Sequence, residues 1–274
     1  MNRLLKLVRG TRACCADLAR ELAGAADRRT LPRLPRSDDV YLVSFPKSGV
    51  TWMSFLVANV NIALSGGDRS ATFYNIHQYV PDIQQSRELG PPLLPRPGFR
   101  FIKSHALLNP GYCQVLYVVR DPADALVSYH HFLRGQGAFD GSLSELVRSP
   151  RHGIARWVEH VDGWIARSPA SLRFMMTRYE DLLRDPAAEL AGIYRQLGFD
   201  VPPDVLARAV EASSFDSMRR QELGLAYGGR ALRETFRFVR GGRSGDGAAT
   251  LSADDRALIA HRAGPWLERL GYAA

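Results

Sequence analysis

Residues 45–52, Phe45-Pro46-Lys47-Ser48-Gly49-Val50-Thr51-Trp52, set a lysine, two hydroxyls and a glycine between a β-branched, aromatic run and a long apolar segment. That layout suits an anion. A strand–loop–helix turn aims unpaired backbone N–H groups and the positive end of the helix dipole at one point, where Lys47 adds a full charge. The spacing departs from the G-x-x-x-x-G-K-[ST] loop of nucleoside triphosphatases, because here the lysine precedes a single glycine. Lys103-Ser104-His105 puts a cation beside the side chain that most often serves as a base near neutral pH. Arg120-Asp121-Pro122, with Ser128 two turns further on, offers an arginine and a hydroxyl to one phosphate. Asp121 and Pro122 also suit the N-cap and first position of a helix. Arg178-Tyr179-Glu180-Asp181 forms a fourth polar group of the same kind.

Each group follows a stretch that reads as a strand: residues 40–44, 99–103, 114–119 and 172–177 are rich in β-branched and aromatic side chains. Between them, residues 53–64, 122–132, 154–167 and 187–197 carry apolar side chains in helical fashion. Strand and helix alternate, which predicts an α/β fold: one domain with a central parallel sheet flanked by helices and a P-loop-like strand–loop–helix. In such sheets ligands gather at the carboxyl ends of the strands, and there the four polar groups fall.

The chain has 274 residues, 46% of them hydrophobic, enough for one sizeable core without a second domain. Its net charge of +8 favours an anionic ligand, a nucleic acid or an acidic membrane surface. Cys14, Cys15 and Cys113 make neither a metal-ligand set nor a disulfide framework, which fits a reducing, cytoplasmic setting. Residues 1–36 read as a basic helical segment and linker ahead of a domain at 37–274. Arginines there alternate with leucines, as in a helix that lies on a membrane surface, and residues 1–30 are the stretch that would make such contact; the alternative is a solvated helix packed on the domain. No apolar run in this segment approaches the ~20 residues of a membrane span. Residues 31–36 alternate proline with leucine and arginine, as an extended linker would.

Taken together, residues 40–270 resemble the cytosolic-type sulfotransferases (sulfotransferase type 1 domain). The octet at 45–52 is similar to the family's Y-P-K-S-G-T-T-W, with Val50 in place of a threonine. Residues 120–132 are similar to R-N-P-x-D-x-x-V-S-Y-Y-H-F, Lys103-Ser104-His105 to K-T-H, Tyr179-Glu180-Asp181 to Y-E-D, and Ser213-Ser214-Phe215 to T-S-F. Arg240-Gly241-Gly242 begins a weaker match to R-K-G-x-x-G-D-W that lacks the lysine and the tryptophan. The glycines of residues 228–247 suggest a lid over the nucleotide.

The resemblance implies transfer of a sulfuryl group from 3′-phosphoadenosine 5′-phosphosulfate (PAPS) to an acceptor hydroxyl or amine, with no metal required. It implies that Lys47, Ser48, Gly49, Val50, Thr51 and Trp52 surround the 5′-phosphosulfate. Arg120, Ser128, Arg240, Gly241 and Gly242 fall to the 3′-phosphate, and Tyr179, Ser213 and Phe215 to the adenosine, with Trp52 and Phe215 stacking on the adenine. His105 is then the general base, Lys47 assists the leaving oxygen, and Lys103 lies across the reacting sulfur.

The acceptor stays open among small molecules, lipids and glycans. Residues 69–98, with Phe73, Tyr74, Ile76, His77 and Tyr79, together with the loop at 135–139, imply an apolar wall for it. The vertebrate enzymes' K-x-x-x-T-V-x-x-x-E dimer motif is not recognisable around Thr250-Leu251, so no oligomeric state follows. Two other readings compete: a nucleotide kinase would need a Walker spacing and a magnesium-holding acidic strand end, and a nucleic-acid binder would gather its basic residues on a recognisable motif.

Overall fold

The computed structural model describes residues 27–222 and 241–272. Four strands, β1 (Val40–Val43), β2 (Phe101–Ser104), β3 (Gln114–Val119) and β4 (Arg173–Arg178), pair in parallel in the order β2-β1-β3-β4. The chain leaves the central β1 for one edge and then returns to its other side, so the topology reverses at the carboxyl end of β1, where a parallel sheet opens a crevice. Residues 81–83 lie along the outer edge of β2: the Lys103 amide donates to the Pro81 carbonyl at 2.9 Å and the Ile83 amide to the Lys103 carbonyl at 3.0 Å.

Alternation along the strands divides the core. Val40 and Leu42 face one layer, formed by α1 (Val50–Leu64), α7 (Pro186–Gln196) and α8 (Pro203–Ala212). Tyr41 and Val43 face the other, formed by α3 (Pro122–Gly135), α4 (Leu143–Arg148), α5 (Ile154–Val161) and α11 (Ala253–Leu270). Short helices α2 (Ile76–Tyr79), α6 (Tyr179–Arg184), α9 (Phe215–Gln221) and α10 (Asp246–Thr250) complete the described chain. A parallel α/β domain is thus what the alternating sequence pattern predicts. Helix α1 starts at Val50, earlier than its apolar stretch suggests. The segment expected to be one helix from 154 to 167 instead widens into a π-turn at Asp162–Ala166 after Val161. Among the described residues no helix is long and apolar enough to cross a membrane.

Residues 27–36 are held by the domain. The Arg33 amide donates to the Arg87 carbonyl at 2.9 Å, and Asn109 Nδ2 donates to the Asp27 carbonyl at 3.0 Å. Arg100 is the anchor. It is 4% exposed, forks onto both carboxylate oxygens of the fully buried Asp39 at 2.8 and 2.7 Å, and donates to the carbonyls of Leu34, Leu89 and Gly90. Of the basic segment expected over residues 1–36, with membrane contact through 1–30, residues 1–26 lie outside the described residues, and the rest holds a short 3₁₀ turn at Arg28–Thr30.

The β1–α1 turn sets the site. Lys47 takes φ +66°, the left-handed region that most side chains avoid, and Gly49 follows at φ +100°. A Cβ on Gly49 would come within 2.5 Å of Tyr179 Cδ2, so the ring at the start of α6 lies flush against the turn.

Stability measurements test these contacts. Arg100→Ala should cost about 3–5 kcal/mol in denaturant unfolding, since it leaves a buried carboxylate unpaired. Arg36→Ala, which removes a half-exposed pair with Asp38, should cost no more than about 1 kcal/mol. Gly49→Ala should cost more than the about 1–2 kcal/mol of a left-handed backbone alone. Adding Tyr179→Ala should recover the excess in a double-mutant cycle, and strict additivity would show that the ring is not the obstacle.

Candidate active site

A cavity of about 910 Å³ opens at the carboxyl ends of the four strands. Parallel register assembles its floor. Val43 pairs with Ser104, so the next residues, Ser44 and His105, also meet; Val119 pairs with Arg178, which brings Arg120 and Tyr179 side by side. Of the residues singled out in the sequence, the structure brings Lys47, Gly49, Val50, Thr51, Trp52, Lys103, His105, Arg120, Ser128, Tyr179, Phe215, Gly241 and Gly242 to the cavity wall. Arg240 lies outside the described residues.

One end is built for an anion. The amides of Val50, Thr51 and Trp52 precede the first bond of α1, which runs from the Met53 amide to the Gly49 carbonyl at 3.0 Å, so they point out of the helix start as donors. Val50 loses a hydroxyl relative to threonine but keeps its N–H. Behind them Ser48 is 1% exposed, and its Oγ has no hydrogen-bond partner among the described residues. Arg120 is similarly placed. Asp121 caps α3 by accepting from the Asp124 amide at 3.1 Å, with Pro122 at the first position, as the sequence suggests. Arg120 itself donates to the carbonyls of Lys47 and Arg243 at 3.3 and 3.1 Å and lies 4.3 Å over the Tyr179 ring, while its buried Nε has no partner. A buried polar atom left unpaired costs about 1–3 kcal/mol, so this end suits a guest that supplies several acceptor oxygens.

Aromatic rings wall the same end. Trp52 meets Tyr179 edge-on at 5.9 Å and donates Nε1–H to the Ser213 carbonyl at 2.9 Å. Opposite, Gly242 has φ +58°, and a Cβ on it would come within 2.5 Å of the Phe215 ring; only glycine lets this backbone lie so close. Ser213 is different. Its side chain is buried beneath the wall and its Oγ accepts from Asn59 Nδ2 at 2.9 Å, so the structure gives the cavity its backbone neighbourhood and not its hydroxyl. The described part of the glycine-rich segment is fastened down: both the Gly245 and Gly247 amides donate to Asp124, at 2.8 and 2.7 Å.

His105 occupies the middle. Its Nδ1 lies 2.8 Å from the Ser44 carbonyl, which can only accept, so Nδ1 carries the proton and Nε2 keeps the lone pair. Burial, and then the Lys103 ammonium, push its pKa down from 6.5 to about 4, leaving a neutral imidazole at neutral pH. Trp164 holds the following residue by donating to the Ala106 carbonyl at 2.9 Å. Lys103 is not a solvated strand-end cation. Its ammonium lies 3.0 Å from the Asp82 carboxylate, both about nine-tenths buried.

The other end departs from the apolar wall expected of residues 69–98. Phe73, Ile76 and Tyr79 pack on the core beneath α1, with Phe73 4.9 Å from the Phe55 ring, and Tyr74 is 65% exposed. It is Asp82, Gln84 and Gln85 that reach the cavity, because the strand-like run at 81–83 turns them over the edge of β2. From the 135–139 loop Gln136 lines the cavity, whereas Phe139 packs between His130 and His152. Tyr129 and Phe132 supply the apolar surface, and Lys47 Nζ sits 4.6 Å over the Phe132 ring.

Sequence reasoning missed His160 and Asp82 altogether. His160 is 2% exposed and bonded through Nδ1 to the Tyr117 hydroxyl at 2.8 Å, and its Nε2 has no partner among the described residues. Burial, then the neighbouring His105, push its pKa down to about 3. The only available signal was its place on the buried face of α5 with Ile154 and Trp157.

Known proteins share this fold. A family model described as a sulfotransferase domain matches residues 37–264. Rat sulfotransferase 1C2 is 28% identical over 206 residues, 69% of this chain and 68% of the relative. Among solved structures, retinol dehydratase in complex with androsterone and the inactive cofactor PAP superposes with a TM-score of 0.64 at 18% identity, over 90% of this chain and 85% of the other. Mouse sulfotransferase SULT7A1 complexed with PAP gives 0.61 at 20% identity, over 90% and 88%. At such identities the two structures establish the shared fold, and the match over residues 37–264 establishes more: the chain belongs to the sulfotransferase family.

Proposed function

We propose that this sulfotransferase transfers the sulfuryl group of PAPS to an acceptor hydroxyl, with His105 as general base. The observation that carries this reading is a cavity lined both by Arg120, whose buried Nε has no partner among the described residues, and by a neutral imidazole whose lone pair is on Nε2, with the buried, unpartnered Ser48 Oγ behind the start of α1. Ser48, Lys47 and the amides at the start of α1 bind the 5′-phosphosulfate; Arg120 and Ser128, joined by Arg240, Gly241 and Gly242, bind the 3′-phosphate. Trp52, Tyr179 and Phe215 hold the adenine between rings, which fixes its plane with little loss of side-chain freedom.

In the transfer step His105 Nε2 takes the proton of the acceptor hydroxyl as the acceptor oxygen bonds to sulfur and the bond from sulfur to the 5′-phosphate oxygen breaks. Lys47 donates to that leaving oxygen. The protein's work is alignment and stabilisation of spreading negative charge, as in phosphoryl transfer. Lys103 pairs with Asp82 beside the base, and its charge helps to keep His105 neutral. A soluble, cytoplasmic protein acting without metal on a small-molecule, lipid or glycan acceptor is the setting we infer, with no nucleic-acid partner.

Thermal shift separates this reading from its rivals: adenosine 3′,5′-bisphosphate should raise the Tm without magnesium, whereas a response to ATP–magnesium or to an oligonucleotide alone would point elsewhere. His105→Ala should lower turnover about 10²–10⁴-fold with nucleotide affinity kept; a parallel loss of nucleotide binding would make the histidine structural. In an NMR titration, with the resonance assigned through His105→Gln, the imidazole should titrate near pH 4 in the free protein. Bound nucleotide should move that midpoint upward, since nearby anionic oxygens favour the protonated ring. An ordinary midpoint near 6.5, or a downward move, would refute the assignment.

A further inference from the structure

The end of the cavity away from the β1–α1 turn is basic. Arg151 and Arg156 line it together with His152, Tyr129, Gln84 and Gln136. On that side Asp82 is the one lining carboxylate among the described residues, and it is held by Lys103 at 3.0 Å. Arg151 is exposed and has no carboxylate within ion-pair distance among the described residues. Arg156 pairs with Glu159 at 2.6 Å, but the two side chains are 40% and 50% exposed, so the pair is weak and exchangeable. Both guanidiniums act on the same interior group. They oppose the burial that raises the Tyr129 phenol, whose oxygen lies 3.2 Å from His152 Nδ1. His152 is itself held below its ordinary value, by burial first and then by Arg151, so it does not add a fixed charge but offers a neutral polar edge.

We infer that the acceptor is an aromatic or alicyclic alcohol bearing an anionic substituent, which Arg151 and Arg156 bind while its hydroxyl reaches His105. This inference rests on the sulfotransferase reading and names the substrate class of that site. Tyr129 and Phe132 provide the flat apolar stretch between the two polar ends. Gln84, Gln85 and Gln136 add neutral donors around the rim. Carboxylate, sulfate and phosphate share the chemistry that a guanidinium fork recognises. A purely apolar acceptor would gain nothing from the two arginines, which would stay in solvent, and a cationic one would be repelled by them.

The test is a matched pair of probes, a hydroxynaphthoate and the naphthol lacking its carboxylate, titrated by calorimetry into the full chain saturated with adenosine 3′,5′-bisphosphate. The hydroxynaphthoate should bind about tenfold more tightly, as two exposed charge pairs allow. That preference should shrink with added salt. It should vanish in the Arg151→Gln/Arg156→Gln variant while affinity for the naphthol holds. Replacing the carboxylate by sulfate and by phosphate ranks the three anions. Equal affinities, a preference for the neutral probe, no binding by either, or a preference untouched by the double variant would overturn the inference. Failure of adenosine 3′,5′-bisphosphate to bind at all would instead overturn the sulfotransferase reading beneath it.

Discussion

The reversal of backbone handedness between β1 and α1 is the constraint on which the site depends. Lys47 and Gly49 both adopt positive φ, and that pair of rotations brings the start of α1 over the end of the sheet with its amides facing the crevice. The turn is held from outside by Tyr179, 130 residues away in sequence, whose ring fills the space a Cβ on Gly49 would need. Arg120 stacks on that ring and bonds to the Lys47 carbonyl. Strand ends β1, β3 and β4 are therefore fixed to one another by contacts with a backbone that only this conformation presents, and the electrostatics of the site follow from that geometry.

The two ends of the cavity have different architectures. The end beside the β1–α1 turn is made of strand termini and helix starts, where parallel register sets positions to within a residue. The other end is made of segments 81–85, 136 and 150–156, which sit on the edge of β2 and at the junctions of α3, α4 and α5. Rigid elements impose order on the first, and side-chain chemistry can vary in the second without disturbing the sheet. His105 stands between them, tied to Ser44 on one side and influenced by the Lys103–Asp82 pair on the other.

The sheet was legible, and so was the gathering of Lys47, His105, Arg120 and Tyr179 at its carboxyl edge, because both rest on local signals. Apolar runs followed by polar groups located all four strand ends, and the Asp121-Pro122 start of α3 was written in two adjacent residues. The burial of the Ser213 hydroxyl was not legible, since it depends on Asn59, which lies far away in sequence and donates to that oxygen. The acceptor side failed for a similar reason. Phe73, Ile76 and Tyr79 look like a binding surface by type, but the core beneath α1 absorbs them, and Asp82 gains its place only through an edge pairing with Lys103 that no spacing rule forecasts. The π-turn after Val161 lengthens the helical path by a wider turn, which a periodicity of 3.6 residues does not register.

Asp124 sits at the start of α3, yet its carboxylate is completed by the amides of Gly245 and Gly247 and by Arg120 at 3.6 Å. During synthesis the strands and most helices emerge well before those glycines do. A nascent chain can therefore build its sheet while Asp124 remains a solvated acid and Arg120 lacks the Arg243 carbonyl, and the pocket acquires its final charge distribution only after the ribosome has passed residue 247. The same late stretch brings α11, whose Ile259, Ala263, Leu267 and Leu270 complete the second core layer, so that layer and the joint at Asp124 close together.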